Sequence, residues 1–284
     1  MHFVQALKLD TATLGGIQAL AVNPGIEPFL VQADSKPSAQ MAGIDTQKPM
    51  LPFMSAHIGV LNTLFGIDGY HVNTKPLEAY TVLGAQGAGR AATGEKINIT
   101  EAIVVPRTLS AAIRPPATIS YDVAMCEADG TVPFSVTSGQ TVPTPTVSEA
   151  FRAGDVTVAA SSVGPITSWS IDFGIQLVYD IDPATGFPKM VSIQRHNPRI
   201  SIETKKPGAL VQLGVSGTDD VVSLTLLKAA HGAAFAGSGD LTLACTKNFV
   251  YVEELGGQDG DDGAITRINV ICVWDGTNAP ITVS

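Results

Sequence analysis

Apolar and polar residues alternate with a period of two over much of this sequence, and the alternation is clearest over residues 166–179. Apolar side chains take every second position there: Trp169, Ile171, Phe173, Ile175, Leu177 and Tyr179. The positions between them are mostly Ser, Asp, Gly and Gln. Successive side chains of a strand point to opposite faces of its sheet. The segment therefore predicts a long strand with one buried and one polar face.

A turn and a return strand follow this segment. Residues 180–186 contain a proline, which fixes φ, and a glycine, which can adopt positive φ. Alternation resumes over residues 190–194 and continues after Asn197 and Pro198, where the proline lacks the N–H that a ladder hydrogen bond needs. We therefore predict one long hairpin over about residues 166–203.

A second hairpin is predicted upstream of the first. Residues 119–126 alternate, residues 127–130 are turn formers that end in glycine, and residues 132–136 supply a return strand. Residues 97–105 predict a further strand before this hairpin.

One segment departs from the two-residue period. Its apolar residues recur at spacings of three and four, as in the buried stripe of a helix: Leu51, Met54, Ile58, Leu61 and Phe65. Pro52 suits a first helical turn and Gly66 suits a helix end. We predict one flanking helix over about residues 52–65. A membrane-surface helix would carry Lys or Arg on its polar face, which this segment lacks.

Segments rich in Gly, Pro, Ser or Asp predict exposed loops between the strands: residues 34–48, 84–95, 138–148, 228–240 and 256–263. Loops this long usually have a role, and contact with neighbouring subunits is one such role. We find no domain boundary or short repeat. The chain is therefore predicted to be one mainly β domain over residues 1–284, with long hairpins and one flanking α-helix.

Composition narrows the function. Charged residues make up 15% of the chain, against about 25% in average soluble domains, which suggests that partners cover part of the surface. A net charge of −9 disfavours binding to nucleic acid through phosphate neutralisation. Residues 1–10 lack the apolar core of a signal peptide, and no run approaches the ~20 apolar residues of a membrane span. Three scattered cysteines fit synthesis in a reducing cytosol.

No motif predicts catalytic, cofactor-binding or metal-binding residues. The five histidines have neither HxH nor HExxH spacing. Residues 214–217 lack the last glycine of a GxSxG elbow, and the glycine-rich residues 84–90 match neither nucleotide-binding fingerprint. Three aspartates within residues 256–263 could offer oxygen ligands to calcium, although their spacing matches no EF-hand; a solvated loop is the alternative.

Several stretches resemble a known family. They are ITSWSIDFGI at 166–175, FPKMVSIQ at 187–194, PRISI at 198–202, LPFMS at 51–55, GIDG at 66–69 and VPRTLS at 105–110. In these stretches the chain resembles tail tube proteins and related virion proteins of tailed bacteriophages.

The resemblance implies a non-enzymatic virion protein that is assembled in the cytoplasm of the bacterial host. The resemblance also implies the fold class, a β-sandwich or partial barrel with long hairpins and one flanking α-helix. Members of this family form hexameric rings in which each subunit contributes long hairpins around a lumen. The rings stack into a tube through which DNA leaves the capsid, and loops and termini bridge successive rings. The implied partners are further copies of the chain, other tail proteins, and DNA that passes without specific binding. No membrane is involved.

The polar side of the 166–203 hairpin is the candidate lumen face. Its members are Ser168, Asp172, Gln176, Ser192 and Gln194. In the alternative arrangement this side meets bulk water outside the ring.

Two other classes of function remain open. One is another virion β-protein: a tail terminator, a baseplate component or a capsid-decorating protein. The other is a carbohydrate-binding module or an enzyme on a β-sandwich, which needs converging acids or aromatic residues. Aromatic residues make up only 6% of the chain.

Overall fold

Strands dominate the part of the chain that the computed structural model describes, which is residues 2–9, 12–14, 17–19, 22–32, 39–67, 72–73, 77–83, 93–144, 149–205, 221–230, 239–254, 265–277 and 279–284. The elements up to the helix are β1 (His2–Leu9), β2 (Ala12–Leu14), β3 (Gln18–Ala19), β4 (Ile26–Gln32), β5 (Ala39–Gln47), β6 (Met50–Ser55) and α1 (Ile58–Phe65). The next strands are β7 (Val72–Asn73), β8 (Leu77–Leu83), β9 (Thr93–Ile99), β10 (Glu101–Ala112), β11 (Thr118–Cys126), β12 (Phe134–Thr141), β13 (Glu149–Val158) and β14 (Ser161–Ser162). The last are β15 (Ile166–Asp172), β16 (Ile175–Ile181), β17 (Pro188–His196), β18 (Arg199–Thr204), β19 (Val222–Ala230), β20 (Leu241–Cys245), β21 (Asn248–Glu254), β22 (Thr266–Cys272) and β23 (Thr282–Val283).

These strands form three larger antiparallel sheets and two separate hairpins. The nine-stranded sheet runs β21-β22-β18-β15-β10-β11-β6-β3, with β7 also paired to β10. One five-stranded sheet runs β14-β13-β19-β20-β23 and the other runs β12-β9-β8-β1-β2. The hairpins are β4–β5 and β16–β17. The predicted mainly β class is confirmed, and no sheet closes on itself along the described strands.

The core lies between the nine-stranded sheet and the sheet that contains β13. Strand β13 contacts β10 and β15, so the two sheets pack as layers of a sandwich. Trp169 of β15 and Phe151 of β13 are fully buried in one shared cluster. Tyr121 of β11 stacks on Phe53 with ring centroids 5.5 Å apart, and its hydroxyl donates to the Gly66 carbonyl at the end of α1 over 3.0 Å. The helix is therefore fixed against the sheet.

The helix is shorter than the sequence pattern predicts. It begins at Ile58, and the prediction that it starts at residue 52 is wrong. Residues 50–55 form β6, which buries every second side chain and pairs with β11. Leu51 and Met54 fit helical spacing from Ile58, but pairing with a distant strand decides their conformation. Among the described residues, no helix has the length and apolar character to cross a membrane.

The predicted upstream hairpin is also wrong. β11 pairs with β10 on one edge and with β6 on the other, so neither edge is left for the strand that follows it. β12 pairs instead with β9 in a different sheet. Residues 123–126 of β11 are all buried, as expected of an interior strand.

The predicted loops have mixed outcomes. Residues 34–48 were predicted as a loop, but most of them belong to strand β5. Residues 84–92, 145–148, 231–238 and 255–264 lie outside the described residues.

The long hairpin over residues 166–203 is confirmed, and it contains a kink. Its base, β15 paired with β18, belongs to the nine-stranded sheet, whereas its outer part, β16 paired with β17, forms a separate two-stranded sheet. The break falls at Gly174, whose φ is 57°, and at Asn197 and Pro198 on the return strand. A Cβ on Gly174 would lie 2.3 Å from the Asn197 carbonyl oxygen. Glycine therefore permits both the bend and the close approach of the two backbones.

Candidate functional site

Short hydroxyl side chains cover the face of the nine-stranded sheet that points away from the core. Cross-strand pairing places Thr118, Ser110, Ser170 and Ser201 in one row, and Ser120, Thr108 and Asp172 in the next. Ser168 lies in a third row opposite Glu203. We call this surface the hydroxyl face, and define it as Thr108, Ser110, Thr118, Ser120, Ser168, Ser170, Asp172 and Ser201. All of its members are partly or fully exposed.

Two of the candidate lumen residues, Ser168 and Asp172, lie on the hydroxyl face. The Ser168 hydroxyl donates to Glu203 Oε2 over 2.8 Å, and Arg267 donates to Glu203 Oε1 over 3.0 Å. The hydrogen bond from Ser168 and then that from Arg267 lower the pKa of Glu203, because both stabilise the charged carboxylate. Asp172 is exposed, and its Oδ1 accepts a hydrogen bond from the Gly174 amide over 2.9 Å, at the kink.

The other three candidates lie on the outer part of the hairpin, and all are exposed. Ser192 pairs with Val178, two residues along the strand from Gln176, so Gln176 and Ser192 share a face. The register shifts between residues 176 and 177, and this shift leaves Gln194 without a cross-strand counterpart. Four of the five candidates are exposed and Ser168 is half-buried; their position on a lumen wall stays a prediction.

Charged side chains of both signs lie at the border of the hydroxyl face. Asp172 lies directly opposite Arg199, and Glu203 forms an ion pair with Arg267. A surface of this kind carries little net charge, so the overall charge of −9 resides elsewhere on the molecule.

A shallow groove of about 410 Å³ crosses the hydroxyl face. Ser110, Ser168 and Ser170 form part of its floor, and Pro115 and Pro116 contribute to its lining. The acid that lines it, Glu203, is already bound by Ser168 and Arg267 and is therefore poorly placed for acid–base chemistry.

Arg107 fixes the outer part of the hairpin at its kink. It occupies a register shift in β10, and its Nε donates to Asp122 Oδ2 over 2.6 Å. Its Nη1 donates to the Ile175 carbonyl, and its own carbonyl accepts a hydrogen bond from the Phe173 amide over 3.0 Å. One side chain thus joins the nine-stranded sheet to the first residue of β16.

The turn of the hairpin is fixed as well. Asp182 accepts hydrogen bonds from the Ala184 and Thr185 amides and forms a 2.6 Å ion pair with Lys189. The hydrogen bond from Lys189 is the largest cause that lowers the pKa of Asp182. The Thr185 hydroxyl donates to the carbonyl of Gly130, in the turn after β11. The hairpin is therefore held against its own chain at both ends.

The β4–β5 hairpin is a second projecting element, and it is apolar on both faces. We call it the apolar arm. Its exposed apolar residues are Ile26, Phe29, Leu30, Met41 and Ile44. Phe29 and Val31 lie two residues apart on β4, and Val31 pairs with Met41 on β5, so Phe29 and Met41 share one face. Leu30 and Ile44 lie on the other face. Leu30 is 69% exposed.

The base of the apolar arm is attached to the long hairpin. Glu27 accepts hydrogen bonds from Lys48 over 2.7 Å and from Thr46 over 2.8 Å. The Gln47 amide donates to the Gly186 carbonyl, in the β16–β17 turn, over 2.8 Å. The two hairpins therefore meet, and the outer part of the long hairpin adds exposed Val178 and Met190.

The apolar arm was not predicted from the sequence, because β5 lies within a segment predicted as a loop. The apolar residues of β4, interrupted by Pro28, were the sequence pattern that could have predicted a strand there. No local sequence pattern indicates the Arg107–Asp122 ion pair, because the two residues lie on different strands, β10 and β11.

The structure shows no cluster of three or more His, Cys, Asp or Glu side chains suited to a metal ion within the described ranges. The acidic segment 256–263 lies outside them. No protein-family model matches the chain, and no curated protein matches its sequence. The functional conclusion therefore depends on the fold and its surfaces.

Proposed function

We propose that this chain is a structural subunit that assembles with copies of itself, and that the assembly is the tail tube of a tailed bacteriophage. The observation that carries the proposal is the apolar arm. A two-stranded hairpin is only marginally stable in water, and this one leaves Phe29 and Leu30 exposed on opposite faces. An exposed apolar surface of this extent marks an interaction site.

A second copy of the chain is the partner that the surfaces favour. Other exposed apolar side chains, such as Phe249 of β21 and Trp274 after β22, lie at the opposite edge of the nine-stranded sheet from β6, which follows the apolar arm, and so form a different patch. Contact between two different patches of identical molecules is heterologous, and it closes into a ring or continues as a filament. Full burial of one Leu side chain stabilises by about 1.5–3 kcal/mol, so burial of several arm residues in each contact suits a permanent assembly.

The hydroxyl face suits the wall of a DNA conduit. Tight binding of DNA requires an excess of Lys and Arg against the phosphates. Here Arg267 is paired with Glu203, and Arg199 lies opposite Asp172. Short hydroxyl side chains offer hydrogen bonds but no net positive charge, which supports passage of DNA without retention.

Charge substitution within the apolar arm tests the proposal. Light scattering coupled to gel filtration is expected to show wild-type protein in assemblies that grow with concentration. Leu30→Lys should shift them to rings or monomers, because a lysine would be buried in the contact. Val136→Lys is the matched control: Val136 is a similarly exposed strand residue in β12, outside the arm, and this variant should assemble like wild type.

Two results contradict the proposal. One is a wild-type protein that stays monomeric at all concentrations. The other is a Leu30→Lys variant that assembles as wild type does. A stable monomer that binds a glycan would instead favour the carbohydrate-binding alternative.

A further inference from the structure

Two of the three cysteines come from facing sheets of the sandwich and meet in its core. Cys245 ends β20 in the five-stranded sheet, and Cys272 ends β22 in the nine-stranded sheet. Both are free thiols, with 1% and 3% of their surface exposed. The Cys245 thiol donates to the Lys247 carbonyl over 3.3 Å, and its proximity, together with burial, raises the pKa of the Cys272 thiol.

The crossover from β20 to β21 brings the two thiols together. Two residues connect these strands, and Asn248 at the start of β21 pairs directly with Cys272. The Asn248 side-chain amide donates to the Cys245 carbonyl over 3.2 Å. The Val273 amide donates to the Lys247 carbonyl over 2.9 Å. These contacts on both sides of the pair place Cys245 and Cys272 beside each other in the folded chain.

We infer that Cys245 and Cys272 are a redox pair that forms a disulfide between the two sheets of the sandwich when the folded chain meets a small peroxide. Hydrogen peroxide is close to water in size, so it can reach a buried pair that a bulky disulfide reagent cannot.

The reaction needs no other reactant. The Cys245 sulfur attacks one peroxide oxygen, the O–O bond breaks, the departing hydroxide takes the proton of the Cys245 thiol and leaves as water, and Cys245 becomes a sulfenic acid. The Cys272 sulfur then attacks the Cys245 sulfur, the S–O bond breaks, and water leaves with the proton from Cys272. In total, two thiols and one peroxide give one disulfide and two waters. The proximity of Cys245 and burial raise the pKa of Cys272, which suits a thiol that keeps its proton until this second step.

The new bond would link the two layers at the point where the chain crosses between them. A disulfide constrains the unfolded chain, so the oxidised protein should melt at a higher temperature. A virion that leaves a reducing cytosol enters oxidising surroundings, where this bond would persist. That biological role depends on the proposed function, whereas the chemistry requires only the folded chain.

Thiol counting in the full-length protein tests the inference. Reduced protein is exposed to hydrogen peroxide, quenched with catalase, unfolded in guanidinium chloride and alkylated. The number of alkylated thiols should fall from three to one, and the intact mass should fall by that of two hydrogen atoms. Peptide mapping should find Cys245 joined to Cys272. The melting temperature should rise by several degrees and return when a reductant is added.

Two variants complete the experiment. Cys126→Ser, which removes the third thiol, should still lose both remaining thiols to a disulfide. Cys245→Ser should keep both of its thiols and show no rise in melting temperature. The inference is wrong if all three wild-type thiols remain free, or if the disulfides that form involve Cys126 or join two chains. Because these readouts count bonds within one chain, they do not depend on whether the protein assembles into tubes.

Discussion

Gly174 offers the sharpest test of how the long hairpin obtains its kink. Its φ of 57° is a left-handed conformation, which costs a residue with a Cβ about 1–2 kcal/mol. A Cβ at this position would also lie 2.3 Å from the Asn197 carbonyl oxygen. Neither atom can rotate away, because one is part of the backbone and the other is attached directly to it. One of the two strands must therefore move to remove the clash, which costs about 1–3 kcal/mol, as in other overpacked sites. Gly174→Ala should therefore destabilise the chain by about 2–5 kcal/mol.

Gly139 provides a matched control. Its φ is 70°, and a Cβ built on it would meet nothing within 4 Å. Gly139→Ala should cost only the conformational part, about 1–2 kcal/mol. Urea unfolding of both variants, at equal protein concentration and followed by circular dichroism, gives the two free energies of unfolding. If Gly174→Ala is no more destabilising than Gly139→Ala, the close approach to Asn197 does not set the kink.

Two further predictions concern side chains that join distant elements. The buried Glu149 carboxylate accepts a hydrogen bond from the Val60 amide of α1 over 3.1 Å and pairs with Lys228 over 3.1 Å. Glu149→Gln keeps an oxygen that can accept from Val60 but loses the ion pair, so it should lower the free energy of unfolding at neutral pH by about 2 kcal/mol, as measured by urea unfolding; an unchanged value would show that the ion pair with Lys228 does not contribute to stability. Ser168→Ala should raise the pKa of Glu203 in an NMR titration, because it removes the largest cause of its depression. A carboxyl group whose pKa is lower in the folded state stabilises the fold at pH values above its unfolded-state pKa, and this stabilisation is lost as the pH falls through its folded-state pKa. The variant should therefore lose less stability than wild type below about pH 4. If the pKa of Glu203 does not change, the hydrogen bond from Ser168 is not the cause of its depression.

The sequence predicted the parts of the fold that local patterns determine. The 166–203 hairpin follows from its alternation, and its interruption at Pro198 follows from the missing N–H. The exposure of Asp172 and Gln176 follows from the same alternation.

Pairing between distant strands determined the parts that the sequence did not predict. Residues 50–55 satisfy both a helical and a strand pattern, and pairing with β11 and β3 selects the strand. The hairpin predicted after β11 failed for the same reason, since β10 and β6 already occupy both edges. The partners of Ser168, namely Glu203 and through it Arg267, likewise depend on the register of β15, β18 and β22.

Electron microscopy of the purified protein is the most direct test of the proposed function. A tail tube subunit should form tubes of stacked rings, in which a reconstruction places Ser168 and Asp172 on the inner wall and the apolar arm between subunits. A monodisperse monomer at high concentration, or a tube with Asp172 on its outer wall and the apolar arm free in solvent, would contradict the proposal.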